Sequence, residues 1–298
     1  MPQPGAQDKR AFGALHISRE RLGYPCMIRL LSTDFDGTLV DHDARPPVQP
    51  LLFETLAELQ RRGVLWAVNT GRDLAFILHG LSEYAFPMEP DFILTNEREV
   101  FHRNESGQWQ DYGDWNRRCN QAHDLLFQEE ALLVENVRRY LEASGHSRAI
   151  YEEGRFVGVV SRDDAAMDEV VEFLHGSRAP ESLFHYQRNT IFLRFCHLHY
   201  SKGAALGELG RLTGISAGET FAAGDHYNDL SMLDGEYARW PAAPANAIAP
   251  VREQVLAAGG YVATQRCSAG VVEALHYFFD THRLAPPGFT PARPSPVR

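Results

Sequence analysis

The stretch from Ile28 to Thr33 is a largely apolar run of strand length that ends in acidic residues and Gly37. Runs of this kind belong to strands buried on both faces, the condition of a parallel sheet covered by helices. The residues that follow have a helical period. Leu52, Leu56 and Leu59 recur after Pro50, Gly63 stands just past the end as a stop, and Val64 to Val68 forms a second strand. Strand, helix and strand in this order imply a right-handed crossover and parallel pairing. The same grammar returns late in the chain. Ser201 can cap a helix running through Leu206 and Leu209 to Gly214, Thr220 to Ala223 reads as a strand ending at Gly224-Asp225, and two helices follow near Val251 to Ala257 and Ala269 to Phe279.

Between the two halves the texture changes. Residues 113–196 contain helical stretches near Ala131 to Ala143 and Ala165 to His175, with strand-like runs at Arg155 to Val160 and Thr190 to Phe195. The expected fold class is therefore α/β: a doubly wound parallel sheet with an inserted α/β module. Residues 27–112 and 197–283 form the core on either side of the insertion. Residues 1–26 read as a flexible N-terminal extension, and residues 284–298, rich in proline, as a flexible tail. An insertion at this place sits over the carboxyl ends of the strands, where such sheets bind ligands.

Composition narrows the function classes. The chain has 298 residues, 44% hydrophobic and 23% charged, which suits a soluble globular protein able to bury a core without staples. Its formal net charge of −10 leaves no basic stripe for a nucleic-acid backbone. No run approaches the roughly 20 apolar residues needed to span a bilayer, so no membrane partner is expected. Cys26, Cys119, Cys196 and Cys267 are scattered without CxxC pairing, which argues against a zinc site and for a reducing, cytoplasmic setting.

Four short clusters each end a strand or open a helix, on one edge of the sheet. In Asp34-Phe35-Asp36-Gly37-Thr38, side chains two apart on an extended segment point the same way, so two acids can face one reacting centre. One can attack phosphorus while the other handles protons. In Asn69-Thr70-Gly71-Arg72, a hydroxyl, a freed backbone N–H and a guanidinium are all donors for phosphate oxygens. Lys202, just inside a helix start, adds its ammonium to the positive helix terminus. In Gly224-Asp225-His226-Tyr227-Asn228-Asp229, acids four apart can share one side and hold a hard cation. Each cluster alone has a plainer reading as a turn, a cap or a solvated lysine. Their common position is what argues for chemistry.

The order DxDGT, TGR, Lys, GDxxND resembles the four motifs of the haloacid dehalogenase superfamily of phosphatases, over nearly all of residues 28 to 282 and including Asn246. The long stretch between Thr70 and Lys202 is similar to members with a large α/β cap, the Cof-like and sucrose-phosphatase-like group. The resemblance implies a Rossmann-like core and a set of roles. Asp34 would be nucleophile and metal ligand. Asp36 would be the general acid and base and would bind metal through its main-chain carbonyl. Thr70, with Gly71 and Arg72, would hold the phosphoryl oxygens, and Lys202 would neutralise charge. Asp225 would ligate Mg²⁺, Asp229 would act mostly through water, and Asn228 would contact phosphate or Lys202. Two departures stand out: Thr95-Asn96-Glu97-Arg98 replaces the Asn-Gly-Ala turn common in relatives, and Phe195 to Tyr200 is bulkier than usual.

The expected function is Mg²⁺-dependent hydrolysis of a small phosphorylated metabolite, a sugar phosphate in the first instance, through an aspartyl-phosphate on Asp34. A phosphomutase and a non-catalytic phosphometabolite-binding protein are the alternatives. Specificity is expected from the cap, with Arg155, His185, Tyr186, Arg188 and Arg194 as candidates. His197 and His199 read as ordinary polar side chains rather than a transition-metal pair, and His226 in the fourth cluster reads either as a substrate contact or as a solvated side chain. A monomer is the default, with a homodimer as alternative.

Overall fold

A computed structural model of the chain describes residues 27–152 and 154–289. The extension expected over residues 1–26 lies outside them, as do Cys26 and the last residues of the tail. The chain runs β1 (Leu30–Thr33), α1 (Pro50–Arg61), β2 (Leu65–Asn69), α2 (Leu74–Glu83), β3 (Phe92–Thr95), β4 (Glu99–Arg103), β5 (Trp109–Asp111), α3 (Trp115–Glu129) and α4 (Ala131–Ser144). It continues through β6 (Ser147–Glu152), β7 (Arg155–Ser161), α5 (Asp164–Ser177), β8 (Phe184–Asn189), β9 (Phe192–His197) and α6 (Lys202–Thr213). The last elements are β10 (Thr220–Ala223), α7 (Leu230–Leu233), β11 (Trp240–Ala243), α8 (Ala249–Ala257), β12 (Tyr261–Val262) and α9 (Cys267–His282).

The larger sheet has the order β12-β11-β10-β1-β2-β3-β4-β5. Pairing is parallel from β12 to β3, and β4 and β5 extend it as an antiparallel edge. β1 is buried along its whole length because successive side chains enter different cores. Leu31 joins Trp66, Val68 and Phe221 under α1 and α9, while Leu30 joins Ala67, Leu94 and Ala222 under α6 and α8. That double burial is why the strand carries no polar alternation.

Register decides what meets at the upper edge. Thr33 of β1 pairs with Val68 of β2 on one side and with Ala223 of β10 on the other. The residues that leave these strands therefore emerge together, at the point where the chain winds outward in both directions from β1.

The second sheet, β6-β7-β9-β8, is antiparallel throughout. Its core gathers Val137 and Leu141 of α4, Met167, Val170 and Leu174 of α5, and Phe156, Val159, Leu193 and Phe195 of the strands. The β8–β9 hairpin reaches down to the core: the Thr190 N–H donates to the His226 ring at 3.3 Å, and Arg188 stacks over Tyr227 with 5.3 Å to the ring centroid.

The last described residues depart from expectation. Leu284 is 2% exposed, its carbonyl accepts from Ile28 N at 3.0 Å, and Phe289 packs on Phe279 with centroids 4.9 Å apart. Leu284 thus belongs to the packed core and Phe289 rests against it, because both are apolar anchors among the prolines.

Candidate active site

The first loop continues the sheet by one bond, Asp34 N donating to Ala223 O at 2.9 Å, and then turns sharply at Gly37. Gly37 has φ +77°, and a Cβ there would lie 2.4 Å from Asp225 Oδ2. Glycine is required on both counts, for the left-handed backbone and for the close approach of the fourth cluster. Thr38 Oγ1 donates to Asp225 Oδ1 at 2.8 Å, so the first and fourth loops are bonded directly. Asn246 adds a second tie, donating to Gly37 O at 2.8 Å while its own oxygen accepts from Cys267 N at 2.8 Å.

Lys202 is fully buried between two carboxylates, with Nζ 2.6 Å from Asp34 Oδ1 and 2.7 Å from Asp229 Oδ1. Its position follows from local sequence. Ser201 caps α6 by accepting from Ala204 N at 3.2 Å, and Asn69 at the end of β2 donates to the Lys202 carbonyl at 3.0 Å. Burial alone would favour neutral lysine, but Asp229 and Asp34 outweigh it and hold the ammonium well above its ordinary range.

One oxygen from each of Asp34, Asp225 and Asp229 lies within 4.8 Å of the others. Three acids share one ammonium, and the surplus shows in the titration of Asp34 and Asp225. Burial, reinforced by Asp229 and Asp225, pushes Asp34 well above the usual carboxylate range against the pull of Lys202. Burial and the Asp229 charge push Asp225 up to about 7. An all-oxygen donor set with unneutralised negative charge fits a small hard divalent cation. Asp229 is the least free of the three, since its second oxygen accepts from the backbone N–H groups of Asp225 and His226 at 2.8 and 2.9 Å.

Asp36 stands apart from this cluster. Arg72 grips it with both arms of the guanidinium, Nε to Oδ2 at 2.7 Å and Nη2 to Oδ1 at 2.6 Å, and His42 Nε2 lies 2.9 Å from Oδ1. Arg72 is itself sandwiched between Phe35 and Phe76, 4.9 and 4.3 Å from the ring centroids. The guanidinium expected to face phosphate therefore faces Asp36. Thr70 is buried at the end of β2, with its N–H on Leu94 O at 2.8 Å and its hydroxyl accepting from Arg72 N at 3.2 Å. Gly71 borders the turn after β3, where a Cβ would sit 3.1 Å from Glu97 Oε1. Asn228 donates to that same Glu97 oxygen at 2.9 Å.

Thr38, His42 and Glu97 are residues to which sequence reasoning gave no role in the site. Thr38 could have been found as part of the Asp-Gly-Thr turn. His42 carries no signal, because its contact with Asp36 depends on the shape of an irregular loop. Of the cap candidates, Arg155 and Arg194 line a cleft of about 550 Å³ with Arg98, His123, Asp124, Phe127, Glu152, Val157 and Phe195. His185 and Tyr186 bond instead within the second sheet and its helices, Tyr186 to His175 at 2.9 Å. Arg188 is taken by Asp164 and Asp168. His197 Nδ1 accepts from His199 N at 3.2 Å, and neither histidine joins a metal-type cluster among the described residues.

Comparison with known proteins identifies the family. The family described as Sucrose-6F-phosphate phosphohydrolase matches residues 27–279. A phosphoglycolate phosphatase of Methanoculleus marisnigri is 28% identical over 85% of this chain and 97% of its own length. Among solved structures, the sucrose-phosphatase of Synechocystis sp. PCC6803, in complex with sucrose and phosphate, superposes with a TM-score of 0.64 at 20% identity, over 85% of this chain and 98% of that one. A haloacid dehalogenase subclass IIB sugar phosphatase, BT4131, gives 0.58 at 18% identity over 84% and 98%. The chain belongs to the Sucrose-6F-phosphate phosphohydrolase family, within the haloacid dehalogenase superfamily, and is a phosphoric monoester hydrolase.

Proposed function

We propose that the protein is a Mg²⁺-dependent phosphomonoesterase that removes phosphate from a small phosphorylated metabolite, a sugar phosphate, through an aspartyl-phosphate on Asp34. The observation that carries this reading is the fully buried Lys202 held between Asp34 and Asp229 beside Asp225, at the point where β1 meets β2 and β10. A bound Mg²⁺ would supply charge neutralisation for the phosphoryl oxygens, held by Asp34, Asp225 and the Asp36 main chain, with Asp229 behind them.

The protein's own groups divide the rest of the work. Lys202 keeps its proton, so it fixes the Asp34 carboxylate and offsets charge on the entering phosphoryl group. A free Asp34 oxygen attacks phosphorus, the bond to the ester oxygen breaks, and that oxygen takes a proton from Asp36. Asp36 then accepts a proton from water as the water attacks phospho-Asp34, returning the carboxylate and releasing phosphate. Arg72 and His42 hold Asp36 in one orientation for both transfers. Thr70, the Gly71 N–H and Asn228 are the donors at hand for the phosphoryl oxygens.

The three described cysteines, Cys119, Cys196 and Cys267, are buried free thiols, which suits a cytoplasmic protein. Among the described residues no helix is long and apolar enough to cross a membrane. All groups invoked come from one chain, which supports a site complete within a single protomer. The test is phosphate release from p-nitrophenyl phosphate and sugar phosphates with Mg²⁺ or EDTA. Activity is expected only with Mg²⁺ and is expected to vanish in Asp34→Asn; undiminished hydrolysis by that variant overturns the assignment of the nucleophile.

A further inference from the structure

The chemistry above leaves Glu97 without a task. It sits in the turn between β3 and β4, where Asn96 and Glu97 have φ of +50° and +62°. Two successive side-chain-bearing residues in the left-handed region are unfavourable, and glycine would be the undemanding choice at either. The turn delivers the Glu97 carboxyl inward, where it is only 6% exposed. Asn228 occupies Oε1, and Oε2 is buried without any hydrogen-bond partner. Burial raises this carboxyl above its ordinary range, with Lys202 and Arg194 opposing. Glu97 is thus bonded to Asn228 of the phosphoryl centre and feels the charges of both Lys202 there and Arg194 in the cleft under the second sheet.

Arg98, next to Glu97 in the chain, and Arg194 line the cleft, and their partners there show what kind of ligand it would take. Arg155 is paired with Asp124 at 2.7 Å, and Arg194 with Glu152 at 3.0 and 2.5 Å. Its third arginine, Arg98, has a buried Nε without a partner and flanks Glu97 in sequence. Two of the three guanidiniums are therefore neutralised within the wall, and Phe127 and Phe195 supply apolar faces. A second carboxylate or phosphate on the substrate would have to compete with Asp124 and Glu152 for two of those guanidiniums. Hydroxyl groups can bond to either sign, and a buried carboxylate oxygen is a strong acceptor for them.

We propose that Glu97 is the specificity-determining residue of this phosphatase: its Oε2 accepts a hydroxyl of the leaving group, selecting phosphate esters of neutral sugars or polyols against those of hydroxy acids. The assignment rests on the phosphatase reading above. It is tested by kcat/KM of the Mg²⁺-loaded enzyme and of Glu97→Gln and Glu97→Gly on glucose 6-phosphate, sorbitol 6-phosphate, 2-phosphoglycolate and p-nitrophenyl phosphate. Glutamine keeps an acceptor for Asn228 while turning Oε2 into a donor, and glycine accepts the backbone angle.

The better of the two sugar-type esters should be preferred over 2-phosphoglycolate by the wild type. Its kcat/KM relative to p-nitrophenyl phosphate should fall about 10- to 100-fold in both variants, chiefly through KM. Melting temperature should hold or rise in Glu97→Gly, since strain and a buried acid are both removed. A ratio that stays constant, a wild-type preference for 2-phosphoglycolate, or a melting temperature that collapses with all activities in proportion overturns the assignment. Wild-type protein inert on every ester overturns the phosphatase reading and this assignment with it, whereas activity on p-nitrophenyl phosphate with an unchanged ratio removes the Glu97 assignment alone.

Discussion

At the residue scale the dominant fact is three carboxylates around one ammonium. Removing the ammonium leaves buried acids uncompensated, so Lys202→Met should abolish turnover and destabilise the fold by about 3–5 kcal/mol, measured by urea unfolding in EDTA. The same surplus of negative charge makes the cation a stabiliser of the folded state. Mg²⁺ at about 100 times its Kd should add about 2.7 kcal/mol to the wild type, read as a rise in melting temperature, and Asp225→Asn should lose most of that rise. Arg72 gives a separate prediction, because its two parallel bonds to Asp36 need a planar fork. Arg72→Lys should cost about 10²-fold in kcat through a misplaced acid, with substrate KM moving far less.

At the element scale, α3 shows why part of the chain was illegible. Its buried residues are Asn116, Cys119, His123 and Leu126, which have helical spacing but only two apolar members. Hydrophobic period therefore finds α4 and α5 and passes over α3. The polar members earn burial through bonds that sequence does not announce. Asn116 bridges Val100 in both directions, and His123 donates from Nδ1 to Cys119 O at 2.8 Å while its Nε2 accepts from His197 N at 3.1 Å.

That second bridge requires a neutral ring, and burial, with help from the Arg98 charge, lowers His123 from 6.5 to about 3. Between these values the unfolded chain binds a proton that the folded chain refuses, so stability is intact above pH about 6.5 and is lost as pH falls toward 3. The slope from this one group reaches about 1.4 kcal/mol per pH unit, and His123→Gln should flatten the stability curve by that amount across the window. β6 and β8, at the edges of the second sheet, escaped notice for a related reason: one face is wet, and most of their side chains are polar.

At the scale of the whole molecule, the last described turn closes the core against the start of β1. Truncation before Leu284 should cost about 1.5–3 kcal/mol for that side chain alone, read as a melting temperature lower by several degrees. The alternation of apolar strand and helix, and the acids at the strand ends, were readable in the sequence because both are local: period and adjacency survive without knowledge of what packs where. Residues 34, 70, 202, 225 and 229 could be selected on that basis, since each sits within two positions of an element boundary. What the tertiary structure alone decided is the partner of each side chain. Arg72 turns to Asp36, Glu97 occupies a glycine-like backbone to face Asn228, and Arg155 and Arg194, but not Arg188, line the cleft. Those outcomes depend on contacts between residues far apart in the chain, where the geometry of two packed layers, rather than any short-range pattern, sets which groups meet.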